Sequence, residues 1–252
     1  MHLFKRTNIK AIKKHYDQFT DTYLEVVDSA IQSHRSSDEQ GMFDYYIDIM
    51  GIQDGMKLLD AGCGICGPAI YFARKNDVYI DAMNISATQI DIAKQKIDDY
   101  KLNDKITAVA GDFHLMHRYF DKSTYDIVYF LEAYGHSTNQ NGLLESAAQV
   151  LKKGGVLYIK DYFRKDLPEM KHVNKIANLM NKKYAYNLPC LYHTLSMLRH
   201  LNFEILKVGK PGFNDDGGVG SVKFSEKSNI KLFKKESDMF SYADVFEILV
   251  KK

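Results

Sequence analysis

The spacing of apolar positions changes near residue 56. Over residues 1–50 they recur at helical intervals: Ile9, Ile12 and Tyr16, then Phe43, Tyr46, Ile47 and Met50. The polar stretch Ser33–Gly41 between these sets reads as a loop. From Met56 onward, short apolar runs alternate with amphipathic segments. Met56–Ala61, Val78–Met83, Ile106–Ala110, Tyr125–Leu131 and Val156–Ile159 read as buried strands. Helices fit between them. One starts at Pro68, since proline is tolerated at the first helical position. Another follows Ser86-Ala87-Thr88-Gln89, a capping-box pattern, and runs through Ile90, Ala93, Ile97 and Tyr100. A third puts Leu143, Leu144, Ala147, Val150 and Leu151 on one face and is stopped by Gly154-Gly155.

The alternation predicts an α/β fold, a doubly wound and mostly parallel sheet. Residues 163–190 break the rhythm and read as helix plus a Tyr-rich loop. A helix at Leu195–Leu201 and strands at Phe203–Val208 and Val245–Val250 follow, for seven strands in all. The Gly- and acid-rich loop Asn214–Gly220 between the last two strands is expected to be mobile. One domain is predicted over residues 1–252. It divides into an N-terminal helical segment (1–50), a core (51–162), a cap (163–200) and C-terminal strands (201–252).

Composition narrows the picture only a little. The chain has 252 residues, 45% hydrophobic and 26% charged, which is ordinary globular usage with room for a sizeable core. A net charge of +2 argues against both a basic nucleic-acid coat and an acidic disordered chain. No apolar run approaches the roughly 18 residues of a membrane span. The basic Met1–Tyr16 segment lacks the apolar stretch of a secretory signal, so a cytoplasmic location is expected. Three cysteines argue against a disulfide framework. Cys63 and Cys66 have no second pair to complete a zinc site, and read as small residues beside tight backbone. The clusters Lys10/Lys13/Lys14 and Lys231/Lys234/Lys235 read as solvated faces. The pattern fixes no oligomeric state.

The strongest chemical signal is Leu58-Leu59-Asp60-Ala61-Gly62-Cys63-Gly64-Ile65-Cys66-Gly67-Pro68. Its glycines are spaced G-x-G-x-x-G, which also fits a dinucleotide fingerprint. Gly62 and Gly64 let a ligand lie against bare backbone. Asp60 ends the strand just before them. A carboxylate there opposes a pyrophosphate and suits a cationic ligand with an amino group and a sulfonium. A nicotinamide site also wants an acid at the end of the next strand, where Asn84 stands.

The segment Asp60-Ala61-Gly62-Cys63-Gly64 resembles the D-x-G-C-G-x-G motif of class I S-adenosylmethionine-dependent methyltransferases. The resemblance covers residues 50–165 with motifs in order, and the rest of the chain more loosely. It implies that the glycine turn holds the methionine part of S-adenosyl-L-methionine, later S-adenosyl-L-homocysteine. By the same pattern Asn84, with Ile85 and Gln89 beside it, meets the ribose. Asp112 meets the adenine amino group and Phe113 the ring. Leu151-Lys152-Lys153-Gly154-Gly155 looks like the family's turn before strand five.

Within the family, no Asn/Asp-Pro-Pro box follows strand four, as it does in nucleobase amine methyltransferases. Pro189-Cys190 stands too far downstream for a cytosine-carbon nucleophile. Gly64-x-x-Gly67-Pro68, Asn84-Ile85-Ser86-x-x-Gln89 and Glu132-x-x-x-His136 look like the group containing sterol, tocopherol, geranyl diphosphate and cyclopropane fatty acid methyltransferases. His15-Tyr16-Asp17 is similar to that group's cofactor-covering Tyr-Asp segment. The implied activity is methylation of a small isoprenoid-like or alkene substrate at carbon. Nitrogen or oxygen methylation of a small metabolite is the alternative, and a non-catalytic cofactor-binding partner subunit a third possibility.

Carbon methylation leaves a carbocation, which aromatic faces stabilise. The chain has 17 Tyr and 14 Phe but no Trp, which departs from the sterol group's Trp-Gly segment. Tyr134, Tyr162, Tyr184, Tyr186 and Tyr192 are the expected substrate-facing rings. Glu132 is the expected base or cation stabiliser, with His136 orienting it or the substrate. No resident metal is expected, although Asp215 and Asp216 could hold magnesium against a diphosphate.

Overall fold

The computed structural model describes residues 8–27, 30–165, 170–214, 223, 227–228 and 242–252. Two N-terminal helices come first, α1 (Ile9–Val27) and α2 (Glu39–Met50). Then strands and helices alternate: β1 (Lys57–Ala61), α3 (Gly67–Lys75), β2 (Tyr79–Asn84), α4 (Ala87–Asp99) and β3 (Ile106–Ala110). After β3 come a 3-10 turn at Phe113–Leu115 and a short helix, α5 (Met116–Tyr119). β4 (Tyr125–Leu131) leads to a second 3-10 turn at Tyr134–His136, then α6 (Gln140–Val150) and the long β5 (Leu151–Arg164). α7 (Met170–Tyr184), α8 (Leu191–His200), β6 (Glu204–Gly209) and β7 (Ala243–Lys251) complete the chain.

The sheet order is β3-β2-β1-β4-β5-β7-β6. The first five strands run parallel and β7 is antiparallel to both its neighbours. This is the expected doubly wound seven-stranded sheet. Its strand order reverses between β1 and β4, where folds of this kind bind ligands beyond the strand carboxyl ends.

Neighbouring residues of each central strand face opposite layers. Leu58, Ile80, Ile127 and Tyr129 pack against α2, α3 and α4. Leu59, Val128, Phe130 and Leu157 pack against α6 and α8. Central strands buried on both faces explain the continuous apolar runs.

Three local expectations change. Helix α6 is not stopped by Gly154-Gly155. It ends at Val150 because β5 begins at Leu151, and the glycines lie inside β5 beside a register shift against β4. Residues 163–200 do not form one cap. Leu191, Leu195 and Leu198 of α8 pack into the main core. Ser86 caps α4 by accepting from the Gln89 amide, but the Gln89 side chain does not reach back to complete a capping box. Cys63 and Cys66 are buried free thiols. Pro189 and Cys190 lead into α8. Asp215, Asp216 and the Lys231/Lys234/Lys235 cluster lie outside the described residues.

Candidate active site

A cleft of about 780 Å³, partly open to solvent, lies at the β1/β4 switch point. Every residue expected at the cofactor and the chemistry lines it: Tyr16, Asp60, Gly62, Gly64, Asn84, Ile85, Gln89, Asp112, Phe113, Glu132 and His136. Its roof is α1, whose Ile9, Ile12 and Tyr16 face inward, together with Ile31 and Gln32 of the following loop. Helix α1 is docked on the N-cap of α4, where the Ser86 hydroxyl donates to Asp17 at 2.6 Å.

The floor is built from the glycine turn. Gly62 has φ +101°, and a Cβ there would sit 2.3 Å from the Ala133 Cβ. Asp60 is buried just before it, with Oδ2 lacking a hydrogen-bond partner among the described residues. Burial pushes its carboxyl up to about 7. Asn84 spends its amide on the Gly64 carbonyl (3.2 Å) and on Gln89 Oε1 (2.6 Å). The group left to offer is Gln89 Nε2, buried and without a partner among the described residues.

At the far wall, Asp112 begins the Phe113–Leu115 turn by accepting from the His114 amide at 3.0 Å. Phe113 stands between the His114 ring and Phe130.

The Tyr134–His136 turn carries the inner wall. Asp161 on β5 fixes it by accepting from the Gly135 amide at 2.9 Å. Burial and the neighbouring Glu132 push Asp161 up to about 8, against the hydrogen bonds that stabilise its charged form. His136 Nδ1 faces the Ala185 carbonyl at 2.9 Å and therefore carries the proton. Its Nε2 then accepts from the Tyr16 hydroxyl at 2.7 Å. Burial pulls His136 down to about 4, so the ring is neutral, and burial raises Tyr16 well above the ordinary phenol range. Tyr23 stacks on Tyr16, and Tyr186 stands edge-on to His136 with centroids 4.4 Å apart.

Glu132 is held by three donors. Its Oε2 accepts from the Ser33 amide (2.6 Å), and its Oε1 accepts from the His34 amide (3.0 Å) and from Lys160 Nζ (2.5 Å). Lys160 is fully buried and also bonds the Gln32 side chain and the His34 carbonyl. The pair straps the Gln32–His34 loop beneath the roof. Glu132 does this from φ +56°, a left-handed backbone that ordinarily costs a non-glycine residue about 1–2 kcal/mol. Three donors make the carboxylate a clasp on this loop.

The five expected substrate tyrosines do not line the cleft. Tyr134 is fully buried in the core with its hydroxyl 3.1 Å from Thr194. Tyr192 is 70% exposed on α8. Tyr162 packs beside Tyr186 and Val245. Tyr184 and Tyr186 form a ring of aromatics behind Tyr16 and His136. Sequence reasoning missed Lys160, Asp161, His114 and the Gln32–His34 strap. Lys160-Asp161 inside an otherwise apolar strand was the available signal.

The glycine turn, the unpartnered Asp60 and Gln89 atoms and the acid Asp112 thus meet in one cleft at the switch point of a doubly wound sheet, where such folds bind ligands. Residues 59–159 match the family described as a methyltransferase domain. A sterol 24-C-methyltransferase of Gibberella zeae is 28% identical over 81% of this chain and 51% of its own length. One from Saccharomyces cerevisiae is 31% identical over 66% of this chain and 44% of its own. The chain thus spans about half the length of the curated relatives it matches. Among solved structures, the [4+2]-cyclase SpnF superposes with TM-score 0.78 at 16% identity, covering 98% of this chain and 97% of that one. Geranyl diphosphate C-methyltransferase from Streptomyces coelicolor A3(2) gives 0.69 at 16%, covering 84% of this chain and 76% of that one. These likenesses show the fold. Residues 59–159 thus carry a methyltransferase domain on this fold. No described helix is long and apolar enough to cross a membrane.

Proposed function

We propose that the protein methylates carbon on an alkene of isoprenoid type, with the Tyr16–His136 pair as proton acceptor. The observation that carries this is the Tyr16–His136 hydrogen bond on the cleft wall, with a ring that burial keeps neutral. A neutral imidazole with a pKa of about 4 is a weak base for a hydroxyl or an ammonium. It suffices for the proton beside a carbocation, which is far more acidic. The sterol and geranyl diphosphate C-methyltransferases among the relatives support the substrate class.

The cleft fits S-adenosylmethionine. Asp60 Oδ2 and Gln89 Nε2 are buried polar atoms awaiting a partner, one an acceptor for an amino group and one a donor for a ribose oxygen. Asp112 and Phe113 would hold the adenine. When bound, the cofactor supplies a methyl group on an electrophilic sulfonium. The chain's part is to align donor and alkene and to keep water out. Helix α1 does both, with Ile9, Ile12 and Tyr16 over the cleft. The aromatic face of Tyr16, which lines the cleft, stabilises the cation by about 0.5–2 kcal/mol. Proton loss restores the alkene: the Tyr16 oxygen takes the proton and passes its own to His136 Nε2. His136 remains a participant, acting through Tyr16 in place of Glu132.

The test is mass spectrometry of an incubation with S-adenosylmethionine and a panel of prenyl diphosphates, sterol-like alkenes and small amines. An alkene product heavier by one methylene is expected. Methylated amine with untouched alkenes would overturn the reading. Tyr16→Phe should lower kcat by roughly 10²–10⁴-fold, the usual range for a lost acid–base group, with little change in cofactor Kd. Unchanged kcat would remove Tyr16 from the chemistry.

Asp60 sets a pH dependence. A cationic amino group favours its ionised form, so cofactor affinity should hold above about pH 7 and weaken below it. The decline should approach about tenfold per pH unit. For the free protein the sign reverses: the fold favours the protonated carboxyl, so that contribution to stability is lost as pH rises toward about 7. Calorimetric titration with S-adenosylhomocysteine from pH 8 to below 6 checks this, and a flat profile in Asp60→Asn confirms the residue.

A further inference from the structure

Asp112 does not stand alone. Its Oδ1 accepts from the His114 backbone amide at 3.0 Å and faces His114 Nδ1 at 2.5 Å. On the other side of the ring, His114 Nε2 lies 2.8 Å from Ser137 Oγ. The Asn139 amide points at the same pair, 3.1 Å from Ser137 Oγ and 3.4 Å from His114 Nε2.

These contacts run in one direction. A carboxylate can only accept, so Nδ1 carries the proton of a neutral ring. Nε2 is then the acceptor for the Ser137 hydroxyl, whose oxygen in turn accepts from the Asn139 amide. Ser137 is buried, so the anchor is fixed. Both donors reach the same oxygen of Asp112. Its Oδ2 has no donor among the described residues and remains for a ligand.

We infer that His114, anchored by Ser137, is a positioning residue that sets the cofactor's base selectivity by presenting Asp112 Oδ2 to the exocyclic amine of adenine. This rests on the reading that adenine lies against Asp112. A fixed acceptor rewards a base with an amino donor there and penalises one with an oxygen. An Asp112 side chain free to rotate would turn away from the oxygen and lose that discrimination. The resemblance in sequence reaches Asp112 and Phe113 but not His114 or Ser137, which lie 23 residues apart and meet only in the fold.

The test compares binding of S-adenosylhomocysteine with its inosyl analogue, in which oxygen replaces the amine, by calorimetry on the full chain. His114→Leu should lower the adenosyl-to-inosyl preference by about tenfold, the size of one hydrogen bond to a charged group. His114→Asn puts an amide N–H where Nδ1–H was, and should keep the preference within about threefold of the parent. If the leucine variant does not fold, Ser137→Ala is the substitute, with a smaller loss in the same direction. Preference retained in the leucine variant, or lost equally in both, would overturn the positioning role. Asp112→Asn separates the layers. If it leaves the preference unchanged, the adenine reading itself fails. If it lowers the preference while both His114 variants retain it, only the positioning inference fails.

Discussion

Glu132→Gln is expected to destabilise the protein before it reports on catalysis. The exchange takes the charge away from a fully buried Lys160 and turns an amide N–H toward a backbone amide of Ser33 or His34. Removing one member of a buried ion pair typically costs about 3–5 kcal/mol. For a chain of this size that is a fall in melting temperature on the order of 10 °C. Lys160→Met should be comparably damaging, because it leaves Glu132 unpaired. The double variant should lose clearly less than the sum, since neither charge is then stranded. Thermal melts of the three variants decide the matter. A Glu132→Gln protein that melts like the parent but does not turn over would return Glu132 to the role of base and displace Tyr16.

Gly62→Ala should abolish cofactor binding, with an affinity loss of roughly a hundredfold or more. Two independent penalties meet there. A φ of +101° is a conformation that alanine adopts only at a cost of a few kcal/mol. The new methyl would also sit 2.3 Å from the Ala133 Cβ, which is anchored in the turn after β4 and has no flexible end to yield. Relief requires the glycine turn and the Glu132–Ala133 corner to part, which widens the floor on which the cofactor would lie. Equilibrium binding of S-adenosylhomocysteine measures this directly. Near-parental affinity would mean that the turn does not carry the ligand. Gly64 is the milder control: its Cβ would meet only the Ile31 side chain, at 3.5 Å.

The sheet and the floor of the cleft were legible because their signals are local. Strand β1, the glycine turn and the start of α3 are contiguous, and Asp60 is placed by the strand that ends in it. The departures at the site come from groups that meet across the fold. Nothing near Glu132 in sequence shows that Ser33, His34 and Lys160 converge on its carboxylate. The substrate tyrosines failed for a related reason. Aromatic content marks where rings are available, but whether a ring faces a cleft depends on what its hydroxyl finds. Tyr134 found Thr194, and Tyr192 lies on the outer side of α8. An insertion after the core reads as a cap, but α8 supplies core leucines, and the helix that lines the cleft is α1.

The buried lysine on β5 also bears on how the chain folds. Its ammonium cannot enter the core until Glu132, Gln32 and the His34 carbonyl are all in place. The central sheet and a loop more than a hundred residues upstream must therefore close in one cooperative step. Once closed, residues 32–34 are as firmly seated as the strands. The helix ahead of them is held more lightly, by the Asp17–Ser86 and Tyr16–His136 contacts. Amide hydrogen exchange should divide accordingly, with the backbone of Ser33 and His34 opening at the rate of global unfolding and that of α1 opening much faster.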